Sequence, residues 1–408
     1  MNIIDVINKK RLGKELNYKE LDYAFNGYLK GIHEDYQMSS LLMAIVINGM
    51  SLEETINLTD IFIKSGEILD LHSVNDVIID KHSTGGVGDT STLVVGPIVA
   101  ACDCYMVKIS GRGLGITGGT IDKLESIPGF NVNLSKREFK NNLKKVGFVD
   151  SAQTKKLVPL DKIVYNLRNN SGTTESLPLI ASSIMSKKIA SGADIILIDI
   201  KVGKGALIKT KKDANELSSW MKSIGKKYNK KVVTIISDMN IPLSNSIGNR
   251  LEVEEAIKVL NGEKTRLYTT SKEIASILIS LAKKITIKEA EEKVDEVIKN
   301  KKAYKKFKEF VTSQGGNIEK LKINAKVKII KSEKNGVLKT IDALKIGELS
   351  LKLGAGKIND HEKIDYSAGI RIYKEIGEKI KKGDILATLY TNKNIKLSNE
   401  DINCFIIE

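Results

Sequence analysis

The sequence predicts an α/β protein with a helical domain, a central mainly parallel α/β domain and a smaller C-terminal α+β domain. Three observations carry this. The first 65 residues read as amphipathic helices. The runs Ile195-Ile196-Leu197-Ile198-Asp199-Ile200 and Val232-Val233-Thr234-Ile235-Ile236 are apolar on both faces, as strands of a parallel sheet covered by helices are. From Val327 onward the chain breaks into short strands with turns, including Asn335-Gly336 and Gly354-Ala355-Gly356.

In chain order, Asn17 with Glu20 and Ser51 with Glu54 are N-cap and third-position acceptor pairs, and Leu21, Ala24, Phe25, Tyr28 and Leu29 follow the first at helical spacing. The stretch from Met38 to Ile47 is apolar apart from Ser39 and Ser40, so it is either an interior helix or a dimer surface. Helix and strand then alternate between residues 75 and about 270. Pro97 falls in an apolar segment, and a helix there should start late or bend. Pro178 leads a helix-like run ending in Lys187-Lys188. The segment Ile380-Lys381-Lys382-Gly383-Asp384-Ile385-Leu386 resembles the barrel-sandwich shape of biotinyl and lipoyl carriers. It lacks a modifiable lysine at a hairpin tip, so a domain that packs on or guards the site is expected instead.

The chemistry concentrates between Asp80 and Glu125. Two glycine-rich loops lie there, one after Val77-Ile78-Ile79 and one after Met106-Val107-Lys108-Ile109, each leading into a helix-like segment. Backbone N–H groups and a helix N-terminus at the mouth of each loop, with Lys81, Ser83, Thr90, Thr92, Ser110 and Thr120 beside them, suit an anion, and phosphate above all. Gly113-Leu114-Gly115-Ile116-Thr117-Gly118 matches the dinucleotide fingerprint, but the acidic residue that should follow on a second strand is missing. The first loop lacks the Gly-Lys-Ser/Thr ending of a nucleotide triphosphatase.

The net charge of +15 raises the question of nucleic acid. The excess lysines are dispersed, without aromatic residues at stacking intervals, so no nucleic-acid partner is expected. No apolar run approaches the ~20 residues that cross a bilayer, and the N-terminus has no secretory pattern, so no membrane association and a cytoplasmic location are expected. Cys102, Cys104 and Cys404 fit neither a disulfide framework nor a zinc site and are expected to be reduced and buried. His33, His72 and His361 sit in polar surroundings and read as surface residues; His82 alone lies in a motif.

Lys81-His82-Ser83-Thr84-Gly85-Gly86-Val87-Gly88-Asp89, together with Ser110-Gly111-Arg112-Gly113 through Gly118-Gly119-Thr120-Ile121-Asp122-Lys123-Leu124-Glu125, closely resembles the thymidine and pyrimidine-nucleoside phosphorylase family. The likeness continues through Asp199 to Ala206 and Asp238-Met239-Asn240, and is weakest after residue 330. The resemblance implies a helical domain of residues 1–66 and 160–190 that dimerises and binds the base, and an α/β phosphate-binding domain of 72–155 and 192–325. Residues 327–408 would form the C-terminal domain, and the catalytic cleft would close about hinges near Ser65-Gly66, Gln153 to Pro159 and Ser191-Gly192.

The implied reaction is phosphorolysis of pyrimidine nucleosides (uridine, thymidine, deoxyuridine) to a pentose 1-phosphate and the free base, in nucleoside salvage and catabolism, by a cytoplasmic homodimer. Inorganic phosphate is the co-substrate, held by Lys81, His82, Ser83, Thr92, Lys108, Ile109, Ser110 and Thr120. Arg168, Ser183 and Lys187 match the base-binding positions; Ser183 and Lys187, four apart, share a helix face. His82 either donates to a base carbonyl or protonates the leaving group, and with Arg168 and Lys187 forms the expected catalytic set. The resemblance also implies a potassium ion on the main-chain carbonyls of Gly88, Thr90, Leu243 and Ser246 and the Glu255 carboxylate. Glu252, Glu254 and Glu255 equally read as an ordinary acidic helix face. Lys108, where strict thymidine phosphorylases generally carry Met, can donate to a ribose hydroxyl, so ribonucleosides should be accepted beside thymidine. The alternatives are a strict thymidine phosphorylase and, more distantly, a phosphoribosyltransferase of the anthranilate type.

Overall fold

The structure is a computed structural model that describes the chain except residues 114, 115, 117 and 358–361. His361 and half of the Gly113–Gly118 hexapeptide therefore lie outside the described residues. The chain divides into two compact units, the first made of Met1–Asp80, Gln153–Ile196 and Lys211–Thr234, the second of Lys81–Ala152, Leu197–Thr210 and Ile235–Glu408.

The first unit opens with α1 (Ile3–Arg11), α2 (Tyr18–Leu29), α3 (Asp35–Asn48) and α4 (Leu52–Lys64). Asn17 with Glu20 and Ser51 with Glu54 form complete capping boxes, each satisfying donors that a helix start leaves open. α3 buries Met38, Leu41, Leu42, Ala44 and Ile45, yet leaves Tyr36, Met43 and Ile47 exposed, as are Ile32 just before it and Ile4 of α1. Its inner face is interior and its outer face is apolar surface. His33 is not a surface residue: it is buried, with Nε2 3.1 Å from the Tyr23 carbonyl and its ring edge-on to the Tyr23 ring. Its polar sequence neighbours hid an aromatic partner ten positions earlier. His72 is exposed.

β1 (Ile78–Ser83), α5 (Ser91–Ala101), β2 (Tyr105–Ser110), α6 (Thr120–Glu125), α7 (Lys136–Val146) and β3 (Phe148–Ala152) follow. Next come α8 (Pro159–Ser171), α9 (Leu177–Ala190), β4 (Ile195–Val202), α10 (Lys211–Lys227) and β5 (Lys231–Asp238). The five strands form one sheet in the order β3-β2-β1-β4-β5, with β2 and β3 parallel and Met106 opposite Phe148. One expectation needs correction, and a second loses one of its two outcomes. β5 is an edge strand with no buried residue and Ile236 41% exposed, because an edge strand lacks the second neighbour that its apolar run suggested. α5 starts at Ser91, six residues before Pro97, rather than late. The proline forfeits one helix hydrogen bond, and burial of all but the last residue of the helix, against α12, α14 and the sheet, offsets that loss.

The second unit continues with β6 (Ser246–Ile247), α11 (Asn249–Leu260), α12 (Arg266–Lys283), α13 (Ile287–Lys299) and α14 (Lys302–Ser313). Its C-terminal part contains β7 (Lys326–Lys331), β8 (Gly336–Ile341), α15 (Ala343–Leu353), β9 (Gly369–Ile372), β10 (Lys379–Ile380), β11 (Ile385–Thr391), α16 (Asn399–Ile402) and β12 (Phe405–Ile407). Two antiparallel sheets result, ordered β10-β8-β12 and β6-β9-β11-β7. Strand β6 precedes α11 in the chain, yet Ser246 and Ile247 pair with Arg371 and Ile370 of β9. Leu338, Ile346, Leu349, Ile370 and Leu389 share one core with Ile247 and with Val87 of the first glycine-rich loop. All three cysteines are buried thiols outside any disulfide. Among the described residues no helix is long and apolar enough to cross a membrane.

Candidate active site

In the second unit, β1 delivers Lys81, His82 and Ser83 directly into the first glycine-rich loop. Lys81 is fully buried; its Nζ donates to Ser91 Oγ at 2.6 Å and lies 4.0 Å from Asp89 Oδ1. Ser91 passes the contact on by donating its hydroxyl to the same carboxylate. Lys201 Nζ stands 3.9 Å from Asp89 Oδ2, 2.6 Å from Asp199 Oδ2 and 3.0 Å from Ser237 Oγ. The four charges Lys81, Asp89, Lys201 and Asp199 thus alternate in sign, so each offsets part of its neighbour's cost of leaving water. Burial pulls the Lys81 ammonium down from its ordinary pKa, against Asp89 and Asp199. Burial pushes Asp89 upward, but Lys81, Lys201 and the Ser83 and Ser91 hydroxyls together hold it well below the usual carboxylate range. His82 is half-buried.

β2 carries Lys108, Ile109 and Ser110, all buried. Lys108 Nζ donates to the Lys81 carbonyl at 2.8 Å, and Ser110 Oγ donates to Asp150 Oδ2 at 2.9 Å. Thr92 is buried in the first turn of α5, and Thr120 opens α6, a helix of six residues. The second loop returns on itself so tightly that a Cβ on Gly119 would lie 2.1 Å from the Gly113 nitrogen. Asp122 accepts from that same nitrogen at 2.6 Å, and Arg112 bridges Asp122 and Glu125. The charged residues of this motif therefore shape the loop. Lys123 on α6 joins the two loops: its Nζ reaches the Asp89 carbonyl and Glu252 Oε2, each at 2.7 Å.

Gly88, Thr90, Leu243, Ser246 and Glu255 all belong to this unit. Glu255 is buried and is not part of a solvated acidic face; Glu252 is buried too, on Lys123 and Thr90, while Glu254 pairs with Arg371. Glu255 Oε1 accepts from the Asn245 nitrogen at 2.9 Å, whereas Oε2 is buried with no hydrogen-bond partner among the described residues. Burial pushes its carboxyl up to about 7, against the pull of Asn245 and Ser246. Of the five residues of this set, the Gly88 carbonyl accepts from the Ser244 hydroxyl at 2.5 Å, and Glu255 Oε2 is the side-chain oxygen left without a hydrogen bond among the described residues. Among the described residues no group of three or more His, Cys, Asp and Glu could hold a metal ion.

In the first unit, α8 and α9 bring the other set together. Arg168 is buried and directs three donors at carbonyls: Nε at Thr173 at 3.1 Å, Nη1 at Leu179 at 3.2 Å and Nη2 at Thr174 at 2.8 Å. It therefore fixes the turn that leads into α9. Lys187 Nζ donates to Ser183 Oγ at 2.7 Å and to Asp161 Oδ2. Arg168 and Lys187 both lie over the Tyr165 ring, 5.9 and 5.6 Å from its centroid. Burial lowers the pKa of both cations, opposed mainly by Asp161.

Sequence reasoning assigned no role to Asp161, Lys201, Asp199 or Lys123. Asp161 had one usable signal, its position seven residues before Arg168 and hence on the same helix face. Asp199 and Lys201 lay in a quoted run, but Asp89, the partner of Lys201, is more than a hundred positions away.

Family models define the class: the chain is a glycosyl transferase, an enzyme of the pentosyltransferase class. The matches are glycosyl transferase family, helical bundle domain, over residues 4–66; glycosyl transferase family, a/b domain, over 75–304; and pyrimidine nucleoside phosphorylase C-terminal domain over 337–401. Relatives named pyrimidine-nucleoside phosphorylase are 46% identical over 401 residues in Bacillus subtilis (strain 168) and 42% over 401 residues in Geobacillus stearothermophilus. Both alignments cover 96% of this chain and 93% of the relative. The chain belongs to the pyrimidine-nucleoside phosphorylase family. The anthranilate phosphoribosyltransferase of Thermus thermophilus shares the fold, with a TM-score of 0.63 at 16% identity over 76% of this chain and 99% of that one.

Proposed function

We propose that the enzyme cleaves pyrimidine nucleosides, uridine and deoxyuridine as well as thymidine, by phosphorolysis, serving nucleoside salvage and catabolism in the cytoplasm. The observation that carries this reading is the buried Lys81 side chain on β1, with its Nζ 4.0 Å from Asp89 and the first glycine-rich loop directly after its strand. Inorganic phosphate takes donors from Lys81, Ser83, Thr92, Ser110, Thr120 and the loop amides. One phosphate oxygen attacks the anomeric carbon as the glycosidic bond breaks. The base leaves with the bonding electrons, and donors at Arg168, Ser183 and Lys187 gain strength as its oxygens become negative. His82 sits next to Lys81, where it can hydrogen-bond the base or supply the proton that the leaving nitrogen needs.

Potassium is proposed on the carbonyls of Gly88, Thr90, Leu243 and Ser246 with Glu255. The unsatisfied Oε2 supports it, and the ion would fix the first loop rather than take part in bond cleavage. A homodimer through the helical region is proposed from the exposed Ile4, Ile32, Tyr36, Met43 and Ile47.

The test follows ultraviolet absorbance of uridine and thymidine separately, with and without phosphate, and with potassium exchanged for sodium. Phosphate-dependent release of uracil and thymine is expected. Release from thymidine alone would point to a strict thymidine phosphorylase, and no phosphate-dependent release from either would overturn the assignment.

A further inference from the structure

One helix of the C-terminal region touches the loops that follow β1, β2, β4 and β5. At the N-terminus of α15, Asp342 Oδ1 accepts from the Lys345 nitrogen at 3.2 Å, and Asp342 Oδ2 lies 3.3 Å from Lys204 Nζ on the loop after β4. The Ala343 nitrogen donates to the Asn240 carbonyl, on the loop after β5, at 3.0 Å, and Ala343 Cβ lies only 2.6 Å from where Gly205 would carry a side chain. About one turn later comes Gly347. A Cβ there would lie 2.9 Å from Val87 Cγ2, on the first glycine-rich loop, and 3.0 Å from Ile116 Cβ, on the second. Val87 is fully buried in the same core as Ile346 and Leu349, and Ile116 packs against that core. Ligands of such sheets bind at the loops beyond the carboxyl ends of the strands. Those loops here are held by a helix from another part of the chain.

We propose that α15 is the positioning element of the phosphate site and that Gly347 sets the distance at which Val87 and Ile116 hold the two glycine-rich loops. This rests on the phosphate-binding reading of those loops. Carbon atoms in good contact stand about 3.5–4.0 Å apart. A methyl at Gly347 must therefore push the helix or a loop by roughly 0.5–1 Å, and a reacting group misplaced by about 1 Å can lose on the order of 10²-fold in rate. Two variants probe the contact from opposite sides: Gly347→Ala crowds it and Ile116→Ala empties it. Leu389→Ala, in the same core but on β11, controls for general loosening.

Each full-length variant is titrated with inorganic phosphate by calorimetry, and KM is measured for phosphate and for uridine. Both contact variants are expected to weaken phosphate binding about tenfold while KM for uridine stays within about twofold. The double variant should not regain the loss, because Ile116→Ala keeps the Cβ at 3.0 Å and leaves Val87 Cγ2 at 2.9 Å from the added methyl. Leu389→Ala should lower Tm and leave phosphate affinity unchanged. Phosphate affinity within twofold of wild type in both contact variants overturns the proposal, as does an equal loss in Leu389→Ala. If Gly347→Ala does not fold, Ile116→Ala decides alone. Wild-type enzyme that binds phosphate without cleaving uridine sinks the phosphorylase reading but leaves this test intact, whereas wild-type enzyme that binds no phosphate sinks both.

Discussion

Removing the Asp161 carboxylate should turn Lys187 from a fixed cation into one that titrates near working pH. Asp161 is buried, and its Oδ2 receives the Lys187 ammonium. Burial is the largest influence on Lys187 and favours its neutral form; Lys188 and Arg168 push the same way, and Asp161 alone resists them. Removing one partner from a buried ion pair costs about 3–5 kcal/mol when the other must stay charged. A lysine can escape that cost by releasing its proton. Its positive charge is then present only below the lowered pKa and is lost on the alkaline side. If that charge stabilises the departing base, about 3 kcal/mol corresponds to a rate loss on the order of 10²-fold. Asp161→Asn keeps the volume and one acceptor oxygen. Its kcat/KM for uridine should fall about 10²-fold at pH 8.5, recover toward pH 6, and show an alkaline limb displaced to lower pH. The assay is base release by absorbance across pH 5.5–10, with Tm recorded at each end. Parallel profiles for wild type and Asp161→Asn would refute the reasoning, since a purely structural defect lowers activity equally at every pH.

Lys108→Met removes a buried donor from beside the Lys81 carbonyl, and should shift the ratio of uridine to thymidine kcat/KM toward thymidine by about tenfold or more; an unchanged ratio removes Lys108 from substrate choice. Glu255→Gln should abolish a rise in Tm that wild-type enzyme shows when potassium replaces tetramethylammonium, and differential scanning fluorimetry reads it directly. Arg168→Lys forfeits the planar fork that serves three carbonyls; because at least one or two of these lose their partner, Tm should drop together with kcat, by about 1–3 kcal/mol in stability. Ile47→Glu, on the exposed face of α3, should shift the mass measured by light scattering toward the monomer without changing the helical content.

What could be read from the sequence was local in origin. Asn17 with Glu20 and Ser51 with Glu54 sit three residues apart, so each pair announces its helix start without help from the fold. β4 was legible because both of its faces are covered; β5 carries the same kind of apolar run but lies at the sheet edge, and position in a sheet is not written in one strand. Lys81, Lys108 and Ser110 were singled out because they stand within recognisable motifs, and Ser183 and Lys187 because they match family positions four apart on one helix. Their partners were not: Asp150 lies 40 residues from Ser110, and Asp161 lies 26 from Lys187. Asp150, a lone Asp in a chain so rich in charge, gives no sign that it will be buried. Glu255 was ambiguous for the same reason, since burial separates it from Glu254 and spacing does not.

Strand β6 has a consequence for how the molecule is assembled. Its two residues give β9 its second neighbour, so the four-stranded sheet is complete only when a segment made long before the C-terminal residues is delivered to it. Loop-closure entropy must be overcome before that pairing yields anything, which places it late in folding. Residues 327–408 expressed by themselves would leave β9 with a bare edge beside apolar Ile370 and Ile372, an invitation to pair with other copies. The C-terminal region thus resists being moved between proteins as an independent module, and transplants that carry residues 246 and 247 with it stand the better chance of remaining monodisperse.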